Sequence, residues 1–266
     1  MIKHFFLFVF ILSLSASNKA QDESGSFFAG INVGGLLANK QTAIMYTGAS
    51  NIARYGIEDI FANPYYNTAF TNYFQYPYSI VGLPTVWKYK PVMDIGAHFG
   101  LNLGNGSAFF LEANFSNVKL DDMAFTVAIE DPNNQSPEPT YDQIPIFGGE
   151  KRLNVNFGIQ IGMYNEDGVT VYLPLFANLN SVRLEENYFI INNVRYQILH
   201  TVQGQTNIKP GGIGFGGGTG LGAKYRFNDK FTFDLAYSLY YNKTKMNEDF
   251  APWGVQHGIT FRIILG

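Results

Sequence analysis

Apolar and polar residues alternate along much of this chain, in runs far longer than a single turn. Over 231–242, Phe231, Phe233, Leu235, Tyr237, Leu239 and Tyr241 share one face. Thr232, Asp234, Ala236, Ser238, Tyr240 and Asn242 share the other. Over 153–164, Leu153, Val155, Phe157, Ile159, Ile161 and Met163 oppose Asn154, Asn156, Gly158, Gln160, Gly162 and Tyr164. A period of two marks a strand with two unlike faces. Soluble strands seldom hold it beyond about ten residues, whereas a membrane-crossing strand needs about that length. The same pattern runs through 27–37, 93–104, 108–118, 169–179, 213–227 and 255–265, predicting eight strands in all.

The connections alternate in length. Asn105-Gly106-Ser107, Asn165 to Gly168 and Asn228-Asp229-Lys230 have hairpin-turn compositions. Between them lie long stretches at 38–92, 119–152, 180–211 and 243–254. Short periplasmic turns and long external loops are the habit of outer-membrane barrels. The predicted fold is therefore all-β: an eight-stranded antiparallel transmembrane barrel, with both termini periplasmic and a partly helical first loop. If Asn228–Lys230 is a three-residue loop, Lys224 falls opposite Asp234, both facing inward.

One motif invites another reading. Gly212-x-Gly214-x-x-Gly217 has dinucleotide-loop spacing, but no βαβ unit surrounds it. Gly212, Gly214, Gly216, Gly218, Gly220 and Gly222 instead line one face of the sixth strand. Phe110, Tyr164, Tyr172, Phe176 and Tyr240 face inward in the same register, so bulky rings need a bare wall opposite. The lane is read as a packing and curvature device; the alternative is an open groove for a ligand. No nucleotide and no cofactor is expected.

Glu112, Lys224, Arg226, Asp234 and Arg262 also face inward and are predicted to form one ion-pair network closing the lower lumen. Asp94 and His98 share the inner face of the second strand as a polar pair, too few groups for a metal site. No nucleophile, base and orienting group come together in the sequence, and no enzyme is expected.

Composition narrows the setting. Hydrophobic residues are 46% and aromatics 16%, while charged residues are 15% against the roughly 25% usual for soluble domains. There are no cysteines, which removes disulfides and thiolate metal sites. Lys3, an apolar run from Phe5 to Leu14 and small residues up to Ala20 read as a secretory signal cleaved after Ala20. Residues 21–266 are then the barrel domain. Losing Lys3 and Lys19 takes the formal charge from −3 to −5, which does not favour nucleic acid.

The stretch 217–244, GGTGLGAKYRFNDKFTFDLAYSLYYNKT, resembles a hairpin of small outer-membrane barrels of the OmpA/OmpX and opacity-protein type. HGITFRI (257–263) resembles the closing strand of such barrels, with Ile264-Leu265-Gly266 in place of a terminal aromatic. The Ala-Gln signal junction and Asn/Tyr-rich loops resemble proteins of Bacteroidota, including PorT-like barrels. The resemblance implies outer-membrane location after Sec export and contact with outer-membrane lipid and lipopolysaccharide. OmpA-like proteins carry a periplasmic peptidoglycan-binding domain after the barrel; this sequence stops at the last predicted strand, so peptidoglycan anchoring is not expected.

The first long loop carries the remaining chemistry. Asn63 and Pro64 read as N-cap and N1 of a helix through Phe74, with Tyr66, Phe70 and Phe74 on one face. A second helix is expected from Ser50 to Phe61. Tyr65, Tyr66, Phe70, Tyr73, Phe74 and Trp87 are the candidates for binding an outer-membrane protein partner, since aromatics are enriched in interface cores. The loop at 130–148, with four prolines, is expected to be stiff, exposed and non-helical. The function expected is a non-enzymatic accessory subunit of an outer-membrane complex for secretion, uptake or barrel assembly. The alternative is a stand-alone pore or ligand-binding barrel using the glycine-lined lumen.

Overall fold

A computed structural model describes residues 24–134, 136, 138–200 and 209–265. The expected signal segment, 1–20, lies outside the described residues. Among the described residues one antiparallel sheet holds β1 (Phe27–Leu37), β2 (Tyr78–Gly82), β3 (Val92–Gly104), β4 (Ser107–Lys119), β5 (Met123–Ile129) and β6 (Thr140–Glu166). It continues through β7 (Val169–Ile191), β8 (Val194–Gln197), β9 (Gly211–Arg226), β10 (Phe231–Lys243) and β11 (Trp253–Leu265). Eight of these close a ring in the order β6-β4-β3-β1-β11-β10-β9-β7, because β7 pairs back onto β6. They contain the eight predicted segments, save Phe227, which lies one residue past β9.

Local chemistry explains the closures. Asp167 and Gly168 both have positive φ, at 51° and 77°, as a two-residue type I′ hairpin requires. At the third turn the Asn228 side-chain oxygen accepts from the backbone N–H of Lys230 and Phe231, and Phe227 meets Phe231. That sets Asp234 opposite Lys224, as the loop length predicted.

The outward faces form an apolar belt. Ile31, Val33, Ile95, Leu111, Phe157, Leu175, Leu235 and Ile259 are all exposed, and no Asp, Glu, Lys or Arg interrupts them between the two ends. Soluble monomers rarely expose contiguous apolar patches beyond a few hundred Å². The belt is the lipid face of a membrane barrel.

β6 and β7 depart from expectation. They are 27 and 23 residues long and continue past the ring into a smaller sheet, β2-β5-β6-β7-β8. The stretch 140–148 is thus strand, not an open stiff loop. Pro145 escaped the strand reading, yet it lies one residue past the last β6–β7 pair, Ile146–Phe189, where a missing N–H is tolerated. On β7 a bulge leaves Glu185 unpaired between the Glu150–Leu184 and Gly149–Glu186 pairs. The bulge reverses which residues face in: Val182 and Leu184 before it, Phe189 and Ile191 after it. A strict period of two cannot see across such a reversal.

This smaller sheet folds over a 3₁₀ turn (Lys40–Tyr46) and helices α1 (Ile57–Ala62) and α2 (Pro64–Phe74). α2 starts as predicted: Asn63 accepts from the Tyr65 N–H and Pro64 fills N1. α1 starts at Ile57 rather than after Ser50, because the Asp59 carboxylate caps the Gly56 N–H at 2.8 Å. Met45, Tyr46, Ile57, Ile60, Phe70, Phe125, Phe189 and Ile191 form a solvent-free core between sheet and helices. Full burial of each such side chain contributes roughly 1.5–3 kcal/mol, so the cap is a folded body with a core of its own.

Candidate functional site

The lumen is built in tiers. In the lowest, Arg262 on β11 reaches across β1 and β3 to Glu112 on β4, with Nη2 at 2.6 Å and Nε at 2.9 Å from Oε2. Its Nη1 lies 3.0 Å from the Asp234 carboxylate and 3.1 Å from the Tyr172 hydroxyl. The Tyr172 hydroxyl in turn sits 2.8 Å from Asp234. One guanidinium thus satisfies two buried carboxylates, the paired and hydrogen-bonded state a buried charge requires.

Two of the five network members lie elsewhere. Lys224 faces Asp234 in register but donates to Gln160 Oε1 at 2.6 Å, and its ammonium lies over the rings of Phe28 and Tyr172. Arg226 lines a separate vestibule at the turn end, beside Ser107, Gly168 and Thr170. The Asp94–His98 pair is corrected too. Residues four apart on a strand are separated by about 13 Å. His98 instead pairs across the ladder with Glu112, its Nδ1 3.2 Å from Oε2, and is sandwiched by Phe28 and Phe110. Asp94 faces Ser116. Tyr164 is 46% exposed, because a register shift after Gly162 carries it out of the lumen.

Above this tier the glycine lane meets the rings. An added Cβ would stand 2.2 Å from the Tyr172 ring at Gly222 and 2.5 Å from the Phe176 ring at Gly218. At Gly220 it would stand 2.0 Å from the Tyr237 carbonyl oxygen, and at Gly216 2.4 Å from Asn242. Gly212 and Gly214 are likewise closed off, by Lys245 and Lys243. The lane is therefore a filled wall and not an open groove. An amide ladder crosses the same level: Asn178 donates to Asn156, and Asn242 and Asn180 donate to Asn178.

The top tier escaped the sequence reading. Arg152 and Glu150 are buried, with guanidinium nitrogens 2.5 Å from the carboxylate. Tyr46 donates to Glu150 at 2.6 Å and Tyr89 at 3.2 Å, while Arg152 donates to Thr42 at 2.7 Å. Burial first, and then the charge of Glu150, raise both phenols well above the ordinary tyrosine range, so they stay protonated donors. Thr42 and Tyr46 belong to the 3₁₀ turn, so this cluster ties cap to barrel. The alternation Ile144, Ile146, Gly148, Glu150, Arg152 was the available signal, hidden by Pro145.

Two small cavities lie among the lumen residues. A lumen cavity between Phe110, Tyr172, Phe176 and Arg262 measures about 10 Å³, and the vestibule about 40 Å³. One water needs roughly 10–15 Å³ on this measure. Among the described residues no group of three or more His, Asp or Glu is placed to hold a metal.

On the cap, Phe70 and Phe74 are buried, so these two partner candidates are spent on the chain's own core. Phe61 stacks on Phe70 at 4.6 Å, Tyr66 packs edge-on to Tyr196 at 5.2 Å, and Trp87 lies against the same core. A helix face with i, i+4, i+8 aromatics had to be covered, and the cap sheet covers it. Tyr65, 84% exposed, and Tyr73, 40% exposed, remain on the surface.

No family model and no curated protein matches the chain. Solved structures of small outer-membrane barrels do. Neisserial surface protein A matches at 8% identity over 91% of this chain and 99% of its own, with a TM-score of 0.40. OprG of Pseudomonas aeruginosa matches at 9% identity over 92% and 94%, with a TM-score of 0.39. Ail, the attachment invasion locus protein of Yersinia pestis, matches at 11% identity over 91% and 98%, with a TM-score of 0.32. These are proteins of the kind the sequence resembles; the fold itself rests on the strand pairing described above.

Proposed function

We propose that the chain is a non-conducting, non-enzymatic outer-membrane barrel that carries a preformed cap at the cell exterior and acts as an accessory subunit of a larger outer-membrane assembly. The observation that carries this reading is the filled lumen. Between the three stacked polar and aromatic tiers a cavity of about 10 Å³ has room for about one water, and a vestibule of about 40 Å³ lies at the turn end, while the long connections are invested in a separately cored cap. A stand-alone pore needs the opposite arrangement. In this reading the three short turns face the periplasm, as do both termini, after Sec export.

The partner surface is the outer side of α2 and its flanks. Residues 63–87 contain no charged side chain, and Tyr65, Asn72 and Tyr73 are exposed along it. Interface cores are depleted in charge and enriched in tyrosine. The test is affinity purification of the tagged chain from its native outer membrane in mild detergent. A stoichiometric outer-membrane protein that is lost when Tyr65 and Tyr73 are both changed to Ser supports the reading. A partner-free monomer, or steady single-channel conductance in planar bilayers, refutes it.

A further inference from the structure

In the turn-end half of the lumen an amine touches an amide. Lys224 on β9 and Gln160 on β6 are brought together by β7, which pairs with both strands. The Lys224 Nζ lies 2.6 Å from Gln160 Oε1. A C=O bond is about 1.23 Å long, so the amide carbon Cδ is at most about 3.8 Å from Nζ. Attack needs about 3–3.5 Å, a small side-chain rotation away. The surroundings suit that chemistry. Gln160 and His98 are essentially solvent-free, and the ring centroids of Phe28 and Tyr172 lie 5.0 and 5.2 Å from Nζ. Water, the competing nucleophile, is kept from the amide. His98 Nε2 stands 3.5 Å from Gln160 Nε2, the atom that would leave. Its Nδ1 is 3.2 Å from Glu112 Oε2, which holds the ring proton on Nδ1 and leaves the Nε2 lone pair free. Lys224 also lines the vestibule, and Gln160 lines the one-water lumen cavity. A proton thus has a way out on one side, and a water-sized ammonia has room on the other.

We propose that Lys224 and Gln160 form an intramolecular isopeptide bond. The bond goes beyond the accessory-subunit reading and does not depend on it. The ammonium first gives one proton to water in the vestibule. The neutral Nζ then attacks Cδ, and a Cδ–Nζ bond forms. The proton that Nζ sheds passes through His98 Nε2 to Gln160 Nε2, the Cδ–Nε2 bond breaks, and ammonia leaves. The ammonia takes up the first proton as ammonium, so atoms and charge balance and nothing is oxidised or reduced. The product ties β6 to β9 across β7. It closes residues 160–224 into one covalent loop, in a chain that has no cysteine to do so by a disulfide.

The test is peptide mapping by mass spectrometry of the full chain folded in lipid vesicles, followed over time after refolding. The expected result is a branched peptide that joins Gln160 to Lys224 and is lighter than the sum of its two parts by one ammonia. In K224R both peptides stay linear. In H98Q, shown to be folded by heat-modified gel mobility, the branched peptide accumulates about 100-fold more slowly, the usual worth of a positioned acid–base group. The wild-type map decides without either variant: linear Gln160 and Lys224 peptides alone, in folded chain, overturn the bond. A branched peptide that forms equally fast in urea-unfolded chain overturns the folded contact as its cause. An H98Q chain that links at the wild-type rate overturns the proton path through His98.

Discussion

Changing Arg262 to Met removes one guanidinium and strands two carboxylates. In the wild type Arg262 contacts Glu112 twice and Asp234 once, and both acids are essentially solvent-free. Breaking a buried ion pair from one side costs about 3–5 kcal/mol, because the remaining charge has no compensation. His98 at 3.2 Å still supports Glu112, and the Tyr172 hydroxyl at 2.8 Å still supports Asp234. The loss should therefore lie toward the lower end, about 3–4 kcal/mol. At a urea dependence of about 2 kcal/mol per M, the midpoint falls by about 1.5–2 M. The assay is urea unfolding in lipid vesicles, followed by tryptophan fluorescence and by loss of the heat-modified gel band. The decisive companion is the triple variant E112Q/D234N/R262M, which removes the stranded charges and should recover at least half of the loss. A single variant as stable as wild type would mean the network is not held together by charge. A triple variant no better than the single would mean the loss comes from packing.

Three further outcomes follow from other parts of the molecule. Gly222→Ala drives a Cβ into the Tyr172 ring and should cost about 1–3 kcal/mol, whereas Gly35→Ala meets nothing within 4 Å and should be neutral or slightly stabilising; thermal melting of the folded gel band separates the two. Phe70→Ala should destabilise the cap by about 3–5 kcal/mol, read as new protease cleavage in the 38–92 segment while the barrel band survives. Burial lowers the pKa of His200 in the cap from 6.5 to about 4, with its ring accepting from Asn187 at 2.8 Å. Above pH 6.5 both folded and unfolded forms hold it neutral; between 6.5 and 4 only the unfolded form binds the proton. The cap should therefore lose up to about 3 kcal/mol as pH falls through that window, and H200N should flatten the dependence of cap proteolysis on pH.

The lane from Gly212 to Gly222 shows how far one-dimensional reading carries. Six alternate glycines beside inward rings already imply a packed wall, because an eight-stranded interior is only as wide as its side chains. The structure names the ring that meets two of them, Tyr172 at Gly222 and Phe176 at Gly218. The charged residues were legible as inward-facing but not as pairs. Lys224 and Asp234 are neighbours in register, yet Asp234 takes Arg262 and Lys224 takes Gln160. Choosing among partners depends on reach across the lumen, which alternation along a strand does not encode.

The eight ring strands, most of their faces and the three short turns were determined by the sequence alone, since they follow from a local period of two and from turn residues that tolerate positive φ or cap the backbone, as Asn228 does. The cap was decided only in three dimensions. A bulge at Glu185 reverses the faces of β7, and Pro145 interrupts the pattern of β6, so the extension of both strands emerges only once they pair. The same pairing sheet then covers Phe70 and Phe74, turning an aromatic face that looked like an interface into a core. Burial is a property of what lies opposite, and what lies opposite comes from distant parts of the chain.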